Sequence, residues 1–162
     1  MQVPMERLRF LSCDHIVPPS QIASFIVPCG SRGHPLEFTF AKRLSLETTN
    51  DLFTVLMSIL QSVPGGVVVF FTSYSYMDAV VARWRSNGMF LRLDTVKRIF
   101  LDGRANTSTT TTTTSCSNSA ADIESVWSNY QRRIETSCGQ AVLFSVIGGK
   151  LSEGKLVSFN SR

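Results

Sequence analysis

The fold is decided by one stretch of the sequence, Ala141-Val-Leu-Phe-Ser-Val-Ile-Gly-Gly-Lys-Leu-Ser-Glu-Gly154. Its apolar and β-branched first half predicts a buried parallel strand, Val142–Ile147. The glycines then open a polar loop that carries Lys150, Ser152 and Glu153. In open α/β sheets, ligands bind to loops at the carboxyl ends of strands. The stretch therefore predicts both a parallel sheet and a loop that contacts a ligand.

Strands and helices alternate along the rest of the chain. Apolar runs predict further strands at Phe10–Ser12, Ser24–Pro28 and Val67–Phe71, with weaker candidates at Leu36–Phe40 and Arg98–Leu101. Helical spacing of apolar side chains predicts helices over Leu52–Leu60, Met77–Trp84 and Ile123–Ile134, with Gly88 ending the second and Gly139 the third. This alternation predicts a three-layer α/β domain with a mostly parallel sheet.

Composition limits the class of protein. The chain has 162 residues, 43% of them hydrophobic and 17% charged, which predicts one globular domain over residues 1–162. The net charge of +4 is compatible with a polyanionic partner. The longest apolar run, Val67–Phe71, is too short to cross a bilayer, so no membrane partner is expected. Four cysteines without a C-x-x-C spacing predict reduced thiols in a soluble intracellular protein.

One segment departs from this pattern. Residues 107–119 are almost entirely Ser and Thr, with six consecutive threonines from Thr109 to Thr114. Such a segment has almost nothing to bury, which predicts a solvated loop insertion. A phosphorylated regulatory segment is the alternative.

The glycine-rich loop permits several interpretations. Gly149-x-x-x-x-Gly154-Lys155 resembles a phosphate-binding P-loop, but Leu156 stands where that motif needs Ser or Thr to reach magnesium. A polar turn without a ligand and a different nucleotide- or DNA-contacting loop both remain open.

A second junction between a strand and a loop follows Val67–Phe71. Thr72, Ser73 and Ser75 offer hydroxyls at the start of a predicted helix, which suits a phosphate, and Tyr74 or Tyr76 offers a ring for stacking on a base. The alternative is that Ser73 or Ser75 only caps the helix.

Neither a metal site nor a catalytic set is predicted. Cys13, His15, Cys29 and His34 do not have a standard zinc-ligand spacing. Two histidines and scattered acids define no nucleophile–base arrangement.

Four stretches in order carry a family resemblance. They are Phe10–Pro19, Pro35–Arg43, Pro64–Tyr76 and Val146–Gly154. Together they resemble the second RecA-like motor domain of the XPD-like iron–sulfur DNA helicases. The most similar branch is the one linked to sister-chromatid cohesion and chromosome segregation.

The resemblance implies roles for particular residues. Gly149, Lys150, Ser152, Glu153 and Gly154 would form the loop at the nucleotide cleft between two motor lobes. Single-stranded or forked DNA would be contacted by Ser73 and Tyr74, and also by Thr39 and Arg43. Nuclear localisation and roles in DNA repair and chromosome segregation are further expectations.

The departures from the family pattern are equally specific. The sequence contains no Walker A or DEAH segment and no four-cysteine cluster, all of which belong to the first motor lobe in that family. After Gly154 the family's arginine motif is also missing, so the resemblance implies a C-terminally truncated second lobe. ATP and Mg²⁺ would act only in the intact enzyme, and the iron–sulfur cluster would lie in the first lobe. We therefore expect no ATP hydrolysis or unwinding from this chain alone.

Two alternatives of a different class stay open. The chain could be a non-catalytic module that binds DNA or docks on a partner lobe. It could also be a fragment of a truncated gene without an independent function.

Overall fold

A computed structural model describes residues 17–102 and 120–149, with the side chains of 120–124 left out. Apart from a short 3₁₀ turn at Pro19–Gln21, the elements within these residues are four helices and three strands. In chain order they are α1 (Leu46–Ser62), β1 (Val67–Phe71), α2 (Tyr74–Ser86), α3 (Met89–Val96), β2 (Arg98–Leu101), α4 (Ala120–Thr136) and β3 (Ala141–Val146).

The three strands form a parallel sheet in the order β1-β3-β2. Val67 is paired with Val142, and Arg98 with Ala141, so all three strands run in register and end at the same edge. All six residues of β3 are buried, because this strand is central and covered on both faces. This burial explains the continuous apolar run of its sequence, and it confirms the predicted α/β class with a parallel sheet.

Helices α1, α2 and α3 form the layer on one face of the sheet. Their core is built around Trp84, which is fully buried and packs edge-on against Phe53 and Phe144. The Trp84 Nε1 donates a hydrogen bond to the Thr49 carbonyl at 3.2 Å. The apolar stripe of α2 predicted from Met77, Val80, Val81 and Trp84 is buried as expected.

Helix α4 covers the other face, over β2 and β3. Tyr130 is its most buried described side chain, packed with Ala141 and Leu143. The Tyr130 hydroxyl donates to the Val67 carbonyl at 3.2 Å, which links this helix to the start of β1.

Lys97 connects the loops at the amino ends of the strands. Its ammonium group is buried and donates hydrogen bonds to the carbonyls of Gly65 at 2.8 Å and Gly139 at 3.0 Å. The loops that precede β1 and β3 are thereby held against the residue that precedes β2.

Two predicted strands are wrong. Ser24–Pro28 forms no strand, and Phe25 and Ile26 are 87% and 93% exposed. Leu36–Phe40 also forms no strand; an isolated bridge joins Cys29 to Pro35 across the turn that contains Gly33. The apolar side chains of these segments do not enter the sheet, so β-propensity alone gave the wrong assignment.

Other predictions differ less from the structure. The weak candidate Arg98–Leu101 is strand β2, and the last strand spans Ala141–Val146. Helix α3 was not predicted; Gly88, expected to end α2, also begins α3 in a left-handed conformation with φ +75°. The predicted strand Phe10–Ser12 and the insertion 107–119 lie outside the described residues. In the part of the chain that the structure describes, no helix is both long and apolar enough to span a membrane.

Candidate functional site

The carboxyl ends of the three strands meet at one edge of the sheet. The backbone N–H of Ile147, just after β3, donates to the Phe71 carbonyl at the end of β1 at 2.9 Å. The N–H of Asp102, just after β2, donates to the Phe144 carbonyl at 2.9 Å. The loops after β1 and β3, which the sequence singled out, therefore begin side by side.

Asp102 lies at the centre of this edge and is 1% exposed. Its Oδ2 accepts hydrogen bonds from the Tyr74 hydroxyl at 3.1 Å and from the Ser145 hydroxyl at 3.0 Å. Tyr74 follows β1 and Ser145 belongs to β3. One buried carboxylate therefore links residues from all three strand ends.

Gly149 packs tightly against the hydrogen-bonded pair of Tyr74 and Asp102. A Cβ atom at this position would lie 2.8 Å from the Tyr74 hydroxyl, 2.8 Å from the Val146 carbonyl and 3.3 Å from Asp102 Oδ2. No side chain fits there without displacing the group beneath it. Glycine at this position thus has a steric cause, and the loop after β3 starts directly on the Tyr74–Asp102 pair.

Ser73 has a structural role that the sequence left open. Its Oγ accepts a hydrogen bond from the Tyr76 N–H at 3.2 Å, so Ser73 and not Ser75 is the N-cap of α2. The Ser75 hydroxyl lies 3.2 Å from the Ser73 hydroxyl. Thr72 is exposed beside this cap. The start of α2 is therefore fixed at the strand-end edge.

Tyr74 and Tyr76 both make contacts within the protein that limit their access to a ligand. Tyr76 is 6% exposed, with its ring packed edge-on against Phe71 at 5.8 Å. Burial raises the pKa of Tyr76, and the nearby Arg43 guanidinium offsets part of that rise. Tyr76 has no open ring face for a base in this conformation, so the stacking role suggested for it is not supported. Tyr74 is half-buried, and its hydroxyl points to Asp102.

Arg43 lies next to Tyr76, beside β1. Its guanidinium lies over the rings of Phe40 at 4.8 Å and Tyr76 at 4.9 Å. The Nε atom is buried and has no hydrogen-bond partner among the described residues. Arg43 and Thr72 line a common cavity of about 250 Å³. Thr39 lies on the turn that positions Arg43, because its carbonyl accepts the Arg43 N–H at 2.8 Å.

The predicted site residues are thus only partly accounted for. Thr39, Arg43, Ser73, Tyr74 and Gly149 are described, and the last three lie at the strand-end edge. The other members of the glycine-rich loop lie outside the described residues: Lys150, Ser152, Glu153 and Gly154.

Asp102 was missed by the sequence reasoning. The signal that identifies it is its position directly after the weak strand candidate Arg98–Leu101, at the edge where the other two loops were expected.

No metal-binding cluster is present within residues 17–102 and the described part of α4 and β3. Two of the four side chains considered as zinc ligands are described. Cys29 is exposed with a free thiol, and the His34 Nδ1 lies 3.0 Å from a Glu47 carboxylate oxygen.

Comparison with known proteins identifies the family. The helicase C-terminal domain profile matches residues 56–159. The ATP-dependent DNA helicase DDX11 of Danio rerio is 37% identical over 158 residues, covering 94% of this chain and 16% of the relative. The human protein of that name is also 37% identical, covering 94% of the chain and 15% of the relative.

A yeast relative gives the same result. The ATP-dependent DNA helicase chl1 of Schizosaccharomyces pombe is 32% identical over 148 residues, covering 91% of this chain and 16% of the relative. The chain therefore spans about a sixth of the length of these relatives. Together with the parallel α/β fold, the matches establish that the chain belongs to the helicase C-terminal domain family, in the branch of DNA helicases that contains DDX11 and CHL1.

Proposed function

We propose that this chain is the second motor lobe of an ATP-dependent DNA helicase, contributing a surface for single-stranded DNA and a loop for the ATP cleft. The observation that carries the proposal is the junction of Tyr74, Asp102 and Gly149. Through it, the loop after β1 and the loop after β3 form one packed unit. The names of the relatives support the same activity.

On the DNA side, Thr39, Arg43, Ser73 and Tyr74 form the contact region. Two aromatic rings hold the Arg43 guanidinium, which limits its rotamer freedom and favours a fixed contact with a phosphate. Ser73 and the exposed Thr72 stand at the amino end of α2, where free N–H groups favour negative charge. Contacts of this kind bind the backbone and do not depend on base sequence.

On the nucleotide side, Gly149, Lys150, Ser152, Glu153 and Gly154 form the cleft loop. ATP with Mg²⁺ would supply the phosphoryl-transfer chemistry in the intact enzyme, and the first lobe would carry the Walker A and DEAH segments and the iron–sulfur cluster. The buried Asp102 would position the start of the loop against Tyr74. A shift of the loop on nucleotide binding would then be transmitted to the DNA-facing start of α2.

The intact protein would act on single-stranded or forked DNA in the nucleus, in DNA repair and chromosome segregation. The chain alone would bind single strands without hydrolysing ATP.

The test measures binding of a fluorescent single-stranded oligonucleotide to this chain across a salt series, with ATPase activity assayed on the same sample. We expect salt-sensitive binding without turnover. Arg43→Gln should reduce the slope of log affinity against log salt by about 0.7, the loss of one phosphate contact. Arg43→Lys should retain the slope, because the charge is kept. The matched control is Arg32→Gln, at an exposed arginine whose side chain forms no ion pair with the described residues.

Two results would contradict the proposal. One is a folded chain that binds no oligonucleotide at low salt. The other is binding that Arg43→Gln and Arg32→Gln weaken equally, since this would reflect net charge and not the strand-end surface.

A further inference from the structure

A second concave site lies on the face of the sheet that α4 covers. It is a cavity of about 360 Å³ between β2 and the last two turns of the helix, lined by Arg98, Phe100, Asn129, Arg132, Arg133 and Thr136. Arg98 and Phe100 face it because they alternate along β2 with the buried Ile99 and Leu101. None of the six residues belongs to the proposed DNA or nucleotide surface. We call this cavity the α4 pocket.

The α4 pocket carries uncompensated positive charge. Of its three arginines, Arg98 is neutralised by Asp94, whose carboxylate lies 2.6 Å from it. Arg132 donates to the neutral Asn129 side chain at 2.7 Å. Neither Arg132 nor Arg133 forms an ion pair within the described part of the chain. Two guanidinium groups are therefore available for a carboxylate or a phosphoryl group, which they bind in bidentate geometry.

The extent of this charge favours a single anionic group over a nucleic-acid strand. Because Asp94 pairs with Arg98, the unpaired positive charge at the pocket is confined to two adjacent residues of α4, Arg132 and Arg133. A strand of DNA or RNA is held by a series of phosphate contacts along a basic track. The α4 pocket instead offers one concave basic site. Its aromatic side chain, Phe100, is half-buried with its ring edge-on to Tyr130 at 6.0 Å.

We propose that the α4 pocket binds an acidic side chain of a protein partner. The carboxylate pairs with Arg132 and Arg133, while apolar atoms next to it in the partner pack on Phe100. The pocket would thus be a docking site on the opposite face of the sheet from the cavity next to Arg43.

The test uses this chain with three labelled peptides: a short glutamate-rich peptide, the same peptide with phosphoserine in place of glutamate, and a glutamine version. We expect salt-sensitive binding of the two acidic peptides and none of the neutral one. Arg132→Glu and Arg133→Glu should each weaken binding by at least about tenfold, the equivalent of one charge-assisted hydrogen bond. Arg32→Glu makes the same charge change at a remote exposed arginine and should have no such effect. Binding of the phosphoserine peptide alone would overturn the assignment to a carboxylate.

Circular dichroism confirms that each variant is folded. The proposal is overturned if the folded chain binds neither acidic peptide at low salt, or if Arg32→Glu weakens binding as much as Arg133→Glu. It is also overturned if Arg133→Glu weakens binding of a single-stranded oligonucleotide as much as it weakens peptide binding. That result would assign the pocket to nucleic acid.

Discussion

Among single residues, Asp102 is the one on which the strand-end edge most depends. Replacing it with Ala removes the acceptor of the Tyr74 and Ser145 hydroxyls and leaves the buried Ser145 hydroxyl without this partner. We expect Asp102→Ala to lower the free energy of unfolding by about 1–3 kcal/mol. Denaturant titration of the folded chain measures this loss.

A double-mutant cycle separates the hydrogen bond from the cavity that Asp102→Ala leaves. Ser145→Ala should cost less in the Asp102→Ala background than in the wild type, with a coupling of about 0.5–3 kcal/mol. Strictly additive losses would mean that Ser145 and Asp102 do not act as a pair.

The sequence predicted the strand-end residues better than their contacts. Gly149 and Ser73 were identified because a glycine after an apolar run and a serine before a helical stripe have local causes. Asp102 was not, because its partners Tyr74 and Ser145 are 28 and 43 residues away along the chain. Only the sheet order brings these three residues together.

At the scale of the elements, two glycines with similar conformations differ in their surroundings. Gly139, before β3, has φ +79°, and Gly88, between α2 and α3, has φ +75°. A Cβ on Gly139 would lie 2.6 Å from the Pro64 carbonyl and 2.7 Å from Gly65 Cα, whereas a Cβ on Gly88 meets nothing within 4 Å. Left-handed backbone costs an alanine about 1–2 kcal/mol.

Gly88→Ala should therefore lower the free energy of unfolding by only that amount. Gly139→Ala should lower it by more, because the backbone of the loop before β1 must move. Unfolding free energies from urea titration compare the two variants directly. Equal losses would show that the loop at Pro64–Gly65 can move without any further loss of stability.

The elements also explain which strand predictions failed. The runs at Ser24–Pro28 and Val142–Val146 are similar in composition, but only the second has a parallel neighbour on each side. The short β2 contains Arg98 and gave a weak signal, yet it pairs with β3 over its whole length. Pairing with the buried central strand β3, and not β-propensity, separates the segments that form strands from those that do not; β1 pairs with β3 although its Val68 and Phe70 are exposed.

For the molecule as a whole, tyrosine hydroxyls help to join the three layers. Because these hydroxyls lose their protons at alkaline pH, the stability of the fold should fall there. Tyr130 connects α4 to β1 through its bond to the Val67 carbonyl, and burial raises its pKa; burial also raises the pKa of Tyr76. A raised pKa means that the folded chain retains these protons at a pH where the unfolded chain has lost them. Their contribution is therefore complete below about pH 10, the ordinary tyrosine pKa, and is lost as pH rises through the folded-state values.

Urea midpoints measured from neutral to alkaline pH should fall above about pH 10 for the wild type. Tyr130→Phe should be less stable at neutral pH by about 1 kcal/mol, because it lacks the hydrogen bond to β1. Its alkaline decline should be shallower, because one titrating group is gone. If the variant declined as steeply as the wild type, the proton of Tyr130 would not be linked to folding, and the tie between α4 and the sheet would be packing alone.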